Sequence, residues 1–495
     1  MKADMDIQHI KAVSRAETFF YPLSVLMNAE RDDKCSVAFG SDSFVCWSQF
    51  KVDVEALTQA LLASPQEKWA LCFDDSYHFS VAFIAAAYAK KHIILPGNHQ
   101  EDALAELATH FDVLLHDRFE LCKFIGQQVL MPSILDADAT NTPELALSSK
   151  TKPTDEGFDY SSSSAAFPLL SELPLDKVAI TLFTSGSSGQ PKAVTKTLEC
   201  VNAEIVELEK TWGDLLSNSN VVSTVSHQHI YGLLFRVLWP LCAGRPFGRE
   251  DLSYPEQVMA QATANTVLIT SPALLKRLFD EQTTRPYRAV FSSGGPLSEA
   301  AARQSYALFN QLPIEVFGST ETGGIAYRQQ HQASTSWTVF DVINVALNAD
   351  GCLRVCSPFI DPDNWYQTSD QCQLMGERHF ALNGRSDRVV KVEEKRISLT
   401  EVERRLCQLS WVDEAAVLTV DDSRRVVLAA VITLTTEGKQ HMLTIGKGKF
   451  WLDVRQQLRR WLEPVGIPRR FREVEEIPLN SQGKRLVREL EKFFK

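Results

Sequence analysis

The sequence lacks any apolar run long enough to cross a bilayer. Its longest, Val81 to Ala89, falls far short of the roughly 20 residues that a spanning helix needs. The amino end, Met1-Lys2-Ala3-Asp4-Met5-Asp6, has no basic flank leading into an apolar core, so no secretory signal is expected. There are ten cysteines but no CxxC pair, and the spacing of Cys352 and Cys356 to Cys372 and His379 fits no usual zinc pattern. Reduced thiols in a cytoplasmic protein are the expectation. No repeat of fixed period is visible. Positive charge is also in short supply, and the net charge of -11 argues against a nucleic-acid partner.

That charge is unevenly spread. Residues 385–495 hold 23 Lys+Arg against 17 Asp+Glu, a balance of +6, which leaves -17 on the rest. A basic terminal module beside an acidic body suggests an anionic ligand or partner for the module. The length of 495 residues, with 44% hydrophobic and 23% charged, allows two or more domains.

The first part of the chain alternates element types. Val54, Leu57, Leu61 and Leu62 fall on one helical face that Ser64-Pro65 ends. Trp69–Phe73 reads as a strand, Phe79–Tyr88 as a helix and His92–Gly97 as a strand and turn. Ala103–Phe111 then reads as a helix and Val113–Leu115 as a strand. This order predicts a parallel sheet with right-handed crossovers. Lys150 to Asp176 is polar and reads as a connector.

The most informative stretch runs from Thr181 to Lys192: Thr-Leu-Phe-Thr-Ser-Gly-Ser-Ser-Gly-Gln-Pro-Lys. An apolar strand, Val178–Ile180, precedes it. Leu198, Val201, Ile205, Leu208 and Trp212 follow at helical spacing. Five hydroxyls, two glycines and one lysine can turn N–H and O–H groups onto a polyphosphate, with glycine letting the backbone approach. Pro191 stands before Lys192, where a Walker loop needs glycine.

Further motifs follow in order. They are Ser226-His-Gln-His-Ile-Tyr-Gly-Leu233, Ser292-Ser-Gly-Gly-Pro-Leu297 and Phe317-Gly-Ser-Thr-Glu321. Then come Trp365-Tyr-Gln-Thr-Ser-Asp370, Asn383-Gly-Arg-Ser-Asp-Arg388 and Pro478-Leu-Asn-Ser-Gln-Gly-Lys484. In the last part, Glu401–Leu406 and Phe450–Leu462 read as helices, and Ala415–Val420 and Val426–Leu434 as strands.

Together these motifs resemble the adenylate-forming (AMP-binding) superfamily, of the acyl- or aryl-CoA synthetase or acyl-carrier-protein ligase type, from about residue 65 to the end. The resemblance implies an α/β fold: a large domain over residues 1–384 with mixed sheets and flanking helices, and a small mobile α+β domain over 385–495. The hinge would lie near 385–388, at Asp387. It implies ATP and Mg²⁺ as cofactors. Thr184, Ser185, Gly186, Ser187, Ser188, Gly189 and Lys192 would then bind phosphates. Gly294, Gly295, Phe317 and Gly318 would hold adenine, with Thr320 near the α-phosphate. Glu321 would bind the metal, Asp370 and Arg385 the ribose, and Lys484 would be the adenylation lysine. His229 matches the family histidine that walls the carboxylate pocket; it would be catalytic there or a core histidine satisfied by a backbone carbonyl, and lining the pocket without proton transfer fits both.

The activity so implied is conversion of a carboxylic acid to an acyl-adenylate, then transfer to the pantetheine thiol of CoA or of an acidic acyl carrier protein. Two positions depart from the family pattern: Ser369 replaces a glycine, and Glu394 replaces a glycine of the pantetheine tunnel. Ser226 to Leu233 contains no acid, so an α-amino acid substrate is not expected, and aryl and fatty acids both remain open. A non-catalytic adenylate sensor and a luciferase-like oxygenase are the other classes the resemblance leaves.

Overall fold

The computed structural model describes residues 20–495 apart from 41–42, 98, 119, 122–127, 132–169, 171, 186–190, 279–284, 333–334, 393–394, 423–424, 463 and 480–484. Two large sheets dominate it. The smaller has six strands in the order Gln128–Leu130, Val113–His116, Lys68–Cys72, His92–Leu95, Ala179–Ser185 and Pro191–Thr197. The first five are parallel, as the alternating pattern predicts, and the last returns antiparallel.

The larger sheet has thirteen strands. From one edge it runs Asn344–Leu347, Cys352–Ser357, Asp361–Leu374, His379–Arg385, Trp337–Val339, Gly323–Gln329 and Ile314–Ser319. It continues through Ala289–Ser292, Thr266–Thr270, Asn220–Ser223, Phe247–Gly248 and Ser36–Phe39 to Phe44–Cys46. Its central strands are parallel, and pairing turns antiparallel from Gly323 onward.

One hydrophobic core joins the two sheets, with Trp69, Leu71 and Ile93 from the first and Val221, Ile269 and Phe291 from the second. Between them lies helix Ser76–Tyr88. All of its residues but His78 are buried, so no polar stripe was available to mark its boundaries. Asp75 starts the helix by accepting hydrogen bonds from the N–H groups of Tyr77 (2.7 Å) and His78 (3.3 Å).

Several expectations need correction. The helix predicted over 54–62 begins earlier, at Trp47, and Leu62 points to solvent at 50% exposure. The helix predicted over 103–111 is Glu101–Leu107 followed by a 3-10 turn. Most of the 150–176 connector lies outside the described residues.

The last hundred residues carry two small sheets, Val389–Val392 with Lys395–Ser398, and Val412–Asp422, Arg425–Leu434 and Arg470–Glu473. They have their own core, built on Val402, Leu406, Val417, Ile432 and Phe450. The predicted helix over 450–462 is Lys447–Leu458, preceded by an unforeseen helix, Thr436–Ile445. Gly446, at φ +83°, separates the two. Across to the large sheets, Lys276 forms an ion pair with Glu414.

Candidate active site

In open α/β sheets, ligands collect beyond the carboxyl ends of the parallel strands. Here those ends bring together segments that are far apart in sequence. Ala179–Ser185 and Pro191–Thr197 form a hairpin whose register puts Thr184 opposite Lys192, and the Thr184 hydroxyl donates to the Lys192 carbonyl at 3.5 Å. The stretch predicted as a loop is thus largely strand. One of its five hydroxyls is spent inside the sheet, where Thr181 bonds His92 and Thr195, each at 2.8 Å. The hairpin apex with Gly186, Ser187, Ser188 and Gly189 lies outside the described residues, as do Lys484 and Glu394.

Lys192 reaches across to the other sheet and forms an ion pair with Glu321. Burial pushes the Glu321 carboxyl up, but the Lys192 hydrogen bond and charge outweigh it and hold the group below its ordinary value. The same bond holds the Lys192 ammonium above its own. Both side chains remain partly exposed, 55% for Lys192 and 25% for Glu321, so a polyanion or cation can reach them.

Glu321 sits in the turn after strand Ile314–Ser319. Ser319 and Thr322 brace that turn by a backbone-to-hydroxyl bond of 3.0 Å. Phe317 is half-buried, its ring 5.4 Å from Trp337 and 5.8 Å from Phe380, while Gly318 is exposed and Thr320 partly so. Gly294 and Gly295 are exposed on the neighbouring turn after Ala289–Ser292. The Ser293 hydroxyl ties that turn to Val316 O at 2.8 Å. Register between adjacent strands pairs Asp370 with Arg385, and their side chains meet at 3.3 Å. Asp387 falls in the short 3-10 turn Ser386–Arg388 that follows.

His229 and its neighbour His227 sit differently. His227 is the core histidine: it is fully buried, stacks on Phe79 at 4.2 Å, and bonds Ser76 at 2.9 Å and Phe73 O at 3.1 Å. His229 is only partly buried and lies against Gly97 at the end of strand His92–Leu95. Gly97 is at φ +72°, and a Cβ there would stand 2.5 Å from Phe183 O and 3.2 Å from the His229 ring. Only glycine allows that close approach.

Two residues were not legible as part of this site. Lys196 is buried, and its ammonium donates to Glu321 O at 2.7 Å and Phe359 O at 2.8 Å. Burial lowers its pKa, against the pull of Glu204. Glu204, also buried, accepts the Gly324 N–H at 2.7 Å. Burial pushes its carboxyl up to about 7, opposed by that N–H and by Lys196. The available signal was a lysine and a glutamate at positions that the strand and helix patterns mark as inward-facing.

Two sheets, with a hydroxyl- and lysine-bearing hairpin on one and a carboxylate turn of the other facing that lysine, have the architecture of the α/β adenylate-forming fold. The comparisons agree. The pattern of the AMP-binding enzymes matches residues 27–346, and that of the AMP-binding enzyme C-terminal domain matches residues 401–484. The chain belongs to the AMP-binding enzyme family.

Among curated relatives, a putative long chain fatty acid-CoA ligase, VraA, of Staphylococcus haemolyticus is 25% identical over 336 residues, 63% of this chain and 70% of that protein. A 4-coumarate--CoA ligase of Halorhodospira halophila is 26% identical over 315 residues, covering 62% and 74%. Of solved structures, ATP-bound MatB from Rhodopseudomonas palustris superposes with a TM-score of 0.75 at 16% identity, over 96% of this chain and 99% of that one. The AMP complex of O-succinylbenzoate coenzyme A synthetase (MenE) from Bacillus subtilis gives 0.72 at 17%, over 95% and 98%.

The raised Glu204 pKa makes a prediction about stability. A carboxyl whose folded-state pKa exceeds its unfolded value of 4.5 stabilises the fold below that pH, and the contribution is lost as pH rises through about 7. Glu204→Gln removes the titration. The melting temperature of the variant relative to the parent should therefore climb between about pH 5 and about pH 8. Parallel melting curves across that range would contradict the assignment.

Proposed function

We infer that the protein activates a carboxylic acid with ATP and passes the acyl group to a pantetheine thiol. The observation that carries this reading is the approach of Lys192 to Glu321, which joins the hairpin of one sheet to the carboxylate turn of the other.

In the first half-reaction, a carboxylate oxygen of the acid bonds to the α-phosphorus of ATP and the bond to pyrophosphate breaks, leaving an acyl-adenylate. Thr184, the hairpin apex and Lys192 would hold the β- and γ-phosphates. Thr320 would sit at the α-phosphate, Phe317 with Gly294 and Gly295 at the adenine, and Asp370 with Arg385 at the ribose. The catalytic gain is positioning and charge stabilisation.

Among the described residues, no three or more His, Cys, Asp or Glu are grouped so as to hold a metal. A hard cation that takes one protein carboxylate and completes its shell with phosphate oxygens fits that donor set. Glu321 would hold Mg²⁺, which neutralises phosphate charge. Lys484 would bridge the acid and the α-phosphate. In the second half-reaction residues 385–495 would turn about Asp387, and the thiol sulfur bonds to the acyl carbon as AMP leaves and the thiol proton passes to solvent.

The thiol acceptor in this reading is carried by an acidic carrier protein. The names of the curated relatives favour CoA instead. The observation on the carrier side is the exposed surface at the end of helix Lys447–Leu458, where Arg459 and Arg460 stand beside Trp461 at 40% exposure and Leu452 at 61%. Other arginines of the basic module are engaged within the protein. Arg470 and Arg472 donate to the carbonyls of Phe494 (3.4 Å) and Phe493 (2.9 Å), and so tie down the last helix.

Pyrophosphate exchange into ATP, run across aryl and fatty acids, tests the first half-reaction. Lys484→Ala should cut acid-dependent exchange by about 10²–10³ while sparing thioester formation from supplied acyl-adenylate. Absence of exchange with every acid would favour the sensor, and equal losses in both steps would contradict the rotation. For the acceptor, Arg459→Glu with Arg460→Glu should lower kcat/KM for holo carrier protein about tenfold at low salt, with the gap closing as salt rises. Efficient turnover with free CoA, indifferent to both changes, would return the assignment to CoA.

A further inference from the structure

The turn that joins the large sheet to the terminal module is pinned from both sides. Arg385, the last residue of strand His379–Arg385, pairs with Asp370 of the neighbouring strand at 3.3 Å. Three residues later Arg388 pairs with Glu403, on helix Leu399–Cys407 of the terminal module. Only residues 386 and 387 lie between the two anchors.

Glu403 holds more than one partner. The helix turns Leu399, Val402, Glu403 and Leu406 inward, and Glu403 is 8% exposed. An ionised carboxylate at that depth needs donors at both oxygens. Arg388 supplies two as a fork, Nη1 to Oε2 and Nη2 to Oε1, each at 2.8 Å. The Val417 N–H donates to Oε1 at 2.8 Å, and Arg388 in turn donates to the Val417 carbonyl at 3.0 Å. The fourth partner is Arg485, whose Nη1 stands 3.3 Å from Oε1.

Arg485 directly follows Lys484 in the sequence. Leu479 and Arg485 form an antiparallel bridge, which joins the two ends of the segment that carries Lys484. One carboxylate therefore grips the turn Ser386–Arg388 and the base of that segment. Without it, two guanidiniums would share a half-buried space with no counter-charge between them. Arg388 would keep the Val417 carbonyl, so Arg485 is the one that would be released.

We propose that Glu403 is a positioning residue for the adenylation step, which through Arg388 and Arg485 fixes the base of the Lys484 segment against the turn Ser386–Arg388. This rests on the reading of Lys484 as the adenylation lysine. Glu403 acts through its neighbours. A charge aimed at developing charge loses much of its value when its support loosens, because it must be placed anew in each turnover.

Arg485→Gln tests this, since Arg485 is 31% exposed and its loss leaves the Arg388 fork in place. Acid-dependent pyrophosphate exchange and thioester formation from supplied acyl-adenylate are compared in the parent, Arg485→Gln, Arg485→Lys and Glu403→Gln. Hydrogen exchange of the amides of residues 477–487 is followed in the same proteins. In Arg485→Gln, kcat for pyrophosphate exchange should fall about tenfold, with KM for ATP and thioester formation each kept within about twofold. Arg485→Lys keeps a charge that can reach Glu403 and should recover most of that rate. Amide exchange over 477–487 should quicken in Arg485→Gln and Glu403→Gln but not in Arg485→Lys. Equal falls in both half-reactions would mark a structural role and overturn the proposal. Parental kcat in Arg485→Gln, or parental amide exchange in Arg485→Gln and Glu403→Gln, would overturn it too. Should the parent be silent with every acid, or Lys484→Ala be without effect, the adenylation reading fails, and the amide exchange still decides whether Glu403 fixes the segment.

Discussion

The ammonium of Lys196 sits at the point where the two sheets meet. It projects from the return strand of the hairpin, in the six-stranded sheet, and donates to two carbonyls in turns that join strands of the thirteen-stranded one, Glu321 O and Phe359 O. A buried cation is expensive to desolvate, by several kcal/mol after relaxation, and is tolerated only where good acceptors surround it. Sliding one sheet against the other would strip it of both acceptors. Lys196 therefore ties the hairpin to the Glu321 turn, beside the exposed Lys192–Glu321 pair. The ion pair on the surface is the weaker bond and the part open to ligand.

The helix after the hairpin extends the same logic. Its glutamates grip the Gly324 amide, the Asp341 amide and the Arg245 guanidinium, three segments widely separated in sequence. Charged groups placed inside a core this way specify one arrangement of the parts, since each wrong register leaves an unpaired charge. The hairpin and its helix thus hold the Glu321 turn and the strand that follows it.

Much of this was legible in the sequence. The parallel strands of the first sheet and the apolar face Leu198–Trp212 follow from periodicity, because burial on one side forces it. The candidate site residues came from motif order, and strand register explains why Asp370 and Arg385 lie together. Other features could not be read. The helix expected over Phe79–Tyr88 is there, but its true start at Ser76 was missed, because a helix buried on every side but that of His78 carries no amphipathic signal and only the Asp75 cap marks its beginning. Lys196 and Glu204 stand at inward-facing positions of the strand and helix patterns, but their charge alone would assign them to the surface. Their burial depends on carbonyls and amides more than a hundred residues away. The positive balance of residues 385–495 could not show that Arg470 and Arg472 donate to the carbonyls that end the last helix.

The central claim is that Lys196 sets the geometry of the nucleotide cleft without touching the nucleotide. Calorimetric titration of ATP with Mg²⁺ into folded Lys196→Met protein tests it most directly. The variant keeps the length and apolar stem of the side chain and removes the two hydrogen bonds. Affinity should fall at least about tenfold, the scale of a lost charge-assisted hydrogen bond, in protein that still melts cooperatively. Parental affinity in such a folded variant would contradict the account.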